Sequence, residues 1–324
     1  MLIKRRRGWE LPEQLVTPER AFLDRRSFLA GAGAAGFSLL ASRAGHADDM
    51  KDPTADLYPA KHNDAFKPER DITPEAVASK YNNYYEFGSA KEISEAAEAL
   101  KVRPWTIKIG GLVDQPIEIG FDDLVRKMPL EERVVRHRCV EAWAMVVPWT
   151  GFPMRELVKL AAPKSDAKFV RMETFMNPEV AHGQQQDWYP WPYVEGLTMA
   201  EATNPLAFMV TGAYGKPLTK SFGAPVRVHL PWKYGFKSIK SLVKIDFVAE
   251  RPESFWETIS ASEYGFWANV NPEVPHPRWS QAEERILGTG NWYSAAARPT
   301  VIYNGYGEWV AELYKGLEGE KLYT

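Results

Sequence analysis

A single cysteine, Cys139, is all the thiol chemistry this chain of 324 residues owns. The first residues read as an export signal, so the mature protein is expected where thiols oxidise. No intramolecular disulfide can then staple the fold. The fold has to rest on its apolar core. The thiol has to be buried and inert, paired with another molecule, or bound to a metal.

The export reading rests on residues 1–47. A basic stretch, Lys4-Arg5-Arg6-Arg7, precedes a twin-arginine run, Asp24-Arg25-Arg26-Ser27-Phe28-Leu29. The apolar run from Phe28 to Ser42 falls short of the ~20 residues that span a bilayer. Gly45-His46-Ala47 offers a small-residue cleavage point. This route carries proteins that are already folded, commonly because a cofactor is inserted before export. The expected location is the periplasm.

The rest is large enough for one substantial domain or two small ones. With a formal charge of −2 for the whole chain, no basic patch points to nucleic acid. No second long apolar stretch points to a membrane span. Twelve Trp, 14 Tyr and 15 Phe suit either an aromatic-lined binding surface or an ordinary core.

Residues 48–74 are polar and punctuated by proline, which predicts an extended lead-in to a domain over 75–324. Thr73-Pro74-Glu75 marks a helix start. Trp105 to Gly111 alternates with period two and predicts a strand. Phe121 to Lys127 and Met154 to Leu160 read as short helices. Val134 to Cys139, Lys168 to Phe175, Leu206 to Thr211, Val226 to Leu230 and Ile239 to Glu250 read as strands. The expected fold class is α+β: mostly β, in mixed sheets with short helices. Tyr81 to Gly88 is too polar and too aromatic for a simple core element.

Alternation places His137 and Cys139 on one face of a strand and Arg138 on the other. Cationic neighbours, Arg136 and Arg138, would favour the thiolate. A zinc or iron–sulfur site wants several Cys, or Cys with clustered His, and the chain has six scattered His. A Cys–His hydrolase needs a His brought in from elsewhere in the fold. A metal whose other ligands come from an organic cofactor needs one protein thiolate only.

The run Arg138-Cys139-Val140-Glu141-Ala142-Trp143, with Val147-Pro148-Trp149 and Gly151-Phe152-Pro153, resembles the sulfite oxidase family of molybdoproteins. Within it, the chain more closely resembles the catalytic subunits of periplasmic protein-methionine-sulfoxide reductases. The likeness continues through Tyr85-Glu86-Phe87-Gly88, Gly223-Ala224-Pro225-Val226-Arg227, Pro231-Trp232-Lys233-Tyr234-Gly235-Phe236-Lys237, Glu263-Tyr264-Gly265-Phe266 and His276-Pro277-Arg278-Trp279.

The resemblance implies a sulfite oxidase-like molybdopterin-binding domain carrying molybdenum–molybdopterin. Cys139 would ligate the metal. Asn82, Tyr85 and Glu86 would contact the molybdopterin or its metal. Thr174, Arg227 and Ser238-Ile239-Lys240 would hold the cofactor, with Arg and Lys suited to a phosphate. Glu141 and Tyr264 would lie near the metal and handle protons. The implied activity is reduction of methionine sulfoxide in periplasmic proteins. The chain has no Cys-x-x-Cys-His and no Gly-x-Gly-x-x-Gly, so electrons would come from a partner, which the resemblance implies is a membrane haem-binding, quinone-linked subunit. A monomeric catalytic subunit in a heterodimer is expected. Phe222 stands where family members commonly carry Asn, which removes a side-chain amide. Trp188, Trp191 and Trp279 are candidate substrate aromatics. A sulfite-type oxidase or a small S- or N-oxide reductase on the same cofactor is the nearest alternative. A cofactor-free binding protein is another.

Overall fold

The computed structural model describes residues 52–290 and 294–323. The twin-arginine signal over 1–47 lies outside them.

Alternating apolar residues build the first sheet. In β1 (Thr106–Gly111) Ile107 and Ile109 face inward, and in β5 (Phe169–Thr174) Val170, Met172 and Thr174 do so. β10 (Leu242–Val248) runs parallel to β1 and antiparallel to β5. β2 (Ile117–Gly120) and β6 (Val194–Thr198) are its edges, giving the order β2-β1-β10-β5-β6.

The second sheet is organised by β4 (Trp143–Pro153), in which all eleven residues are buried. β3 (Glu131–Arg138) pairs antiparallel along most of β4, with His137 opposite Met145. β7 (Phe208–Ala213) takes the far end of β4, and β9 (Arg227–His229) pairs with β7. β11 (Glu283–Ile286) runs parallel beside Trp143 and Ala144, and β12 (Ala297–Pro299) pairs with β11. The two-residue β8 (Lys216–Pro217) closes the β7 side. No alternation announces β4, because both its faces are covered. Pro148 and Gly151 also argue against a strand locally. Gly151 sits at a register shift against β7, where a Cβ would meet the Met209 carbonyl oxygen at 2.0 Å.

Helices are short. α1 (Glu75–Ala78) and α2 (Ser94–Ala97) precede the first sheet. α3 (Phe121–Lys127) has Asp122 and Asp123 in its first turn and Arg126 and Lys127 in its last, matching the helix dipole. α4 (Met154–Ala161) buries Met154, Leu157, Val158 and Ala161, a stripe at helical spacing. Truncating a side chain as buried as Leu157 to Ala would cost about 2–5 kcal/mol. α5 (Met199–Thr203) starts at a capping box between Thr198 and Glu201. α6 (Phe255–Ser260) and α7 (Gly307–Val310) follow later in the chain. Among the described residues, no helix is long and apolar enough to cross a membrane.

The mixed, largely β architecture with short helices agrees with the α+β expectation. Boundaries moved. The strand expected over Ile239–Glu250 begins at Leu242, because Ser241 takes φ 47°, which breaks the extended backbone there. Thr73 does not cap α1. Pro74 holds that position, and the Thr73 hydroxyl accepts instead from Val146 N at 3.1 Å. The described part of the lead-in is stitched to the domain: Glu132 N donates to Lys61 O, and Tyr58 Oη donates to Thr211 O at 2.9 Å.

Candidate functional site

Cys139 is the first residue after β3. A four-residue turn, Cys139 to Ala142, carries the chain into β4. Cys139 N donates to Trp143 O and Ala142 N to Cys139 O, which closes the turn. Ala142 takes φ 70°, a left-handed conformation that costs an alanine about 1–2 kcal/mol. The surroundings fix that strained turn. Trp279 Nε1 and Gln281 Nε2 both donate to Val140 O, at 2.8 and 2.7 Å. On the opposite face of β3, Arg138 is fully buried, pairs with Glu284, and donates to Gln281 Oε1 and Thr300 Oγ1.

The thiol opens into a cavity at the end of this sheet. Two further segments complete the wall: residues 82–86, and the run from Gly235 to Lys240 that connects β9 to β10. Asn82 donates to Ser221 O, and Lys240 Nζ donates to Asn83 O at 2.6 Å, so the two segments are tied together. Of the residues expected from sequence, Asn82, Tyr85, Glu86, Cys139, Glu141, Ser238, Ile239, Lys240 and Tyr264 line this one cavity. Thr174 and Arg227 stand behind its wall. The Thr174 hydroxyl donates to Lys240 O at 2.9 Å. The buried Arg227 guanidinium donates to the carbonyls of Phe222, Ser238 and Val228, so it frames the wall rather than facing the cavity. The Phe222 ring turns into the core against Trp149.

Glu141 is held by three N–H donors. It accepts from Lys91 Nζ at 2.9 Å, Asn83 Nδ2 at 3.0 Å and Trp143 Nε1 at 3.1 Å. Burial pushes its carboxyl up, but these donors, Lys91 foremost, outweigh it and hold the group below the usual carboxylate range. Cys139 behaves otherwise than expected. Burial, and then the neighbouring Glu141 charge, push the thiol up to about 12. Arg138 points to the other face and Arg136 donates to Asn304 O; the pull of Lys91 and Arg138 on the thiol is outweighed by burial and Glu141. A metal would have to displace the thiol proton itself. Burial also pushes Glu86 up to about 7 and Lys240 down to about 7. His137 and His229 are driven well below the imidazole range by burial, and both are neutral.

Sequence reasoning set His137 beside Cys139 but gave it no role, and assigned none to the lining residues Asn83, Trp143, Tyr193, Phe236 and Trp256. Lys91 carried no signal at all. Beyond the cavity, across Tyr85, Glu141, Trp143, Trp256 and Tyr264, lies an outer groove of about 970 Å³. Tyr81, Tyr189 and Trp279 add aromatic walls, and Lys91, Arg278 and Glu283 add charge. Trp188 is 69% exposed beside a neighbouring recess, whereas Trp191 packs on Phe255 and Tyr189.

Two comparisons bear on this site. The family model described as "Oxidoreductase molybdopterin binding domain" matches residues 94–256, half of the chain. A solved structure, the sulfane dehydrogenase SoxCD from Paracoccus pantotrophus, is similar at 17% identity and a TM-score of 0.41. The likeness covers 48% of this chain and 41% of that one.

The donor set fits the cofactor. One thiol suffices as the protein's ligand when an organic group supplies the others. Among the described residues no cluster of three or more His, Cys, Asp or Glu competes for a metal. Asn83 Oδ1 is buried on the wall without a partner, a polar atom a bound guest can satisfy. The chain belongs to the family of oxidoreductases with a molybdopterin-binding domain, and its cofactor is molybdenum–molybdopterin.

Proposed function

We propose that this protein reduces methionine sulfoxide residues of periplasmic proteins to methionine. The observation that carries the reading is the outer groove. It is open, wide enough for a segment of another protein, and walled by Tyr85, Tyr189, Trp256, Tyr264 and Trp279. Aromatic faces suit a thioether or sulfoxide methyl group. The Glu141 carboxylate, 3.8 Å from the thiol sulfur, disfavours a small dianion such as sulfite at the same place.

Cys139 is the proposed metal ligand. Asn82, Tyr85, Glu86, Ser238, Ile239 and Lys240 would hold the cofactor from the wall, with Thr174 and Arg227 bracing them. Bound molybdenum supplies two-electron oxygen-atom chemistry. The net reaction takes one sulfoxide, two electrons and two protons to one thioether and one water. Tyr264 keeps its phenolic proton at neutral pH, since burial raises it above the ordinary tyrosine value, and its hydroxyl accepts from Arg278 at 3.3 Å. That makes Tyr264 Oη a proton donor facing the cavity. Glu141, held as a carboxylate by Lys91, can take a proton from water at the groove mouth. Electrons would come from a membrane haem-binding, quinone-linked subunit. The twin-arginine run at Asp24–Leu29 supports export in the folded state.

The test begins with molybdenum analysis of exported protein, wild type and Cys139→Ser. About one molybdenum per wild-type chain is expected, with sulfoxide reduction from an artificial donor falling at least about 100-fold in the variant. Wild-type protein that oxidises sulfite but leaves oxidised proteins untouched would sink the substrate reading. A metal-free wild type from a host that makes the cofactor would sink the site.

A further inference from the structure

His137 lines the cavity two residues before Cys139 and is nine-tenths or more buried. Its Nδ1 lies 3.3 Å from Nε2 of His229, which is buried behind it on β9. The far nitrogen of His229, Nδ1, is buried and has no partner. One nitrogen of this contact must donate and the other accept, so only two arrangements exist. If His137 Nδ1 donates, His229 must carry its own proton on Nδ1, where an N–H would be orphaned in the core. If His229 Nε2 donates, the orphan is a bare lone pair. An unpaired buried N–H is the rarer and costlier of the two. The second arrangement therefore holds. It leaves His137 with Nδ1 as acceptor and its proton on Nε2.

That Nε2 edge belongs to the cavity side. A Cβ placed on Gly235 would meet His137 Nε2 at 2.6 Å and Cε1 at 2.8 Å, and Gly235 is itself a lining residue. A side chain at 235 would push the ring off its present seat. The ring is further clamped between Trp143, at 5.5 Å, and His229, at 5.4 Å. It is an oriented ring with a fixed tautomer.

We propose that His137 is a cofactor contact, donating its Nε2–H to an acceptor of the bound molybdopterin, and that His229 is the positioning residue that fixes its tautomer. The inference rests on the cavity being the cofactor's seat and is independent of the substrate.

The test purifies wild type, His137→Phe, His137→Gln and His229→Phe from a host that makes the cofactor. Three quantities are read: thermal midpoint, molybdenum per chain, and the electron paramagnetic resonance line of the molybdenum centre. His137→Phe keeps the ring volume and removes the donor. It should fold, retain roughly tenfold less molybdenum and shift the resonance line. His137→Gln restores an N–H and should recover most of both. A folded His137→Phe with full molybdenum and an unmoved line overturns the proposal. So does a loss that Gln fails to rescue, since ring packing alone then explains it. If His137→Phe does not fold, His229→Phe decides: a shifted line supports the tautomer lock, and an unshifted one overturns it. Wild type without molybdenum would instead condemn the cavity assignment.

Discussion

Three lysines lie within eight residues, Lys233 and Lys237 buried and Lys240 half-buried, and the first two differ in kind from the third. Lys233 meets Glu201 at 2.5 Å, and Glu201 also accepts from Tyr314 Oη. Lys237 meets Glu195 at 2.5 Å and donates to Gly196 O. These are closed pairs, charge against charge, locking the connection after β9 onto α5 and β6. Lys240 has no carboxylate within ion-pair distance among the described residues. Its amine donates to the Asn83 carbonyl and lies 5.3 Å from the Tyr84 ring, at the edge of the cavity, with Glu86 acting only at longer range. A closed pair holds its two charges without a guest and is costly to break, whereas a cation with no adjacent carboxylate is costly until something binds. The difference separates scaffold from site within one short run of sequence.

Breaking a closed pair should give the largest effect. Lys233→Met strands Glu201 in the core, at a cost of about 3–5 kcal/mol. For a chain of this size that lowers Tm on the order of 10 °C. Lys240→Met removes a charge that burial disfavours and that no carboxylate meets at ion-pair distance among the described residues. Its cofactor-free form should hold wild-type stability within about 1 kcal/mol, or gain, while retaining less molybdenum. Equal stability losses in the two variants would erase the distinction.

Glu86 sharpens the comparison through pH. Its folded-state value, raised to about 7 by burial, exceeds that of an unfolded carboxyl. The folded form therefore binds the proton more tightly, and its contribution is lost as pH rises from the unfolded value through about 7. Cofactor-free wild type should lose on the order of 2–3 kcal/mol over that window relative to Glu86→Gln. Denaturant titrations at pH 5 and pH 8 on both proteins measure it, and parallel pH curves would refute it.

Lys91 tests the rim. It is the foremost group holding Glu141 ionised, so Lys91→Met should raise that carboxyl and move the acid limb of the kcat/KM profile to higher pH. The stability change should stay near 1 kcal/mol, since both side chains keep some exposure. An unmoved limb would mean that Glu141 does not govern it. The smallest effect is expected outside the groove. Trp188→Ala, at the exposed ring, should raise KM for an oxidised protein by roughly threefold with kcat unchanged. An unchanged KM would remove Trp188 from substrate binding.

Much of the site was legible because its residues sit in local patterns. Alternation in β3 placed His137 and Cys139 together and sent Arg138 away. The polar, aromatic run 81–88 stood out from core elements, and Asn82, Asn83, Tyr85 and Glu86 from it line the cavity. Lys91 and Trp256 were invisible, since neither sits in a pattern that points to its partner across the fold. β4 was missed as a strand for a related reason: covered on both faces, it shows no alternation to read.

By itself, then, the sequence determined the α+β character, the position of Cys139 at a strand end and the residue types that gather round it, because periodicity and turn chemistry are short-range. Tertiary structure alone decided the charge states. Burial of the thiol beside Glu141 outweighed the basic residues adjacent in sequence, since Arg138 spends its guanidinium on Glu284, Gln281 and Thr300. Which of three neighbouring lysines is paired, and which faces the cavity, depends on carboxylates 30 or more residues away, and no local pattern carries that information.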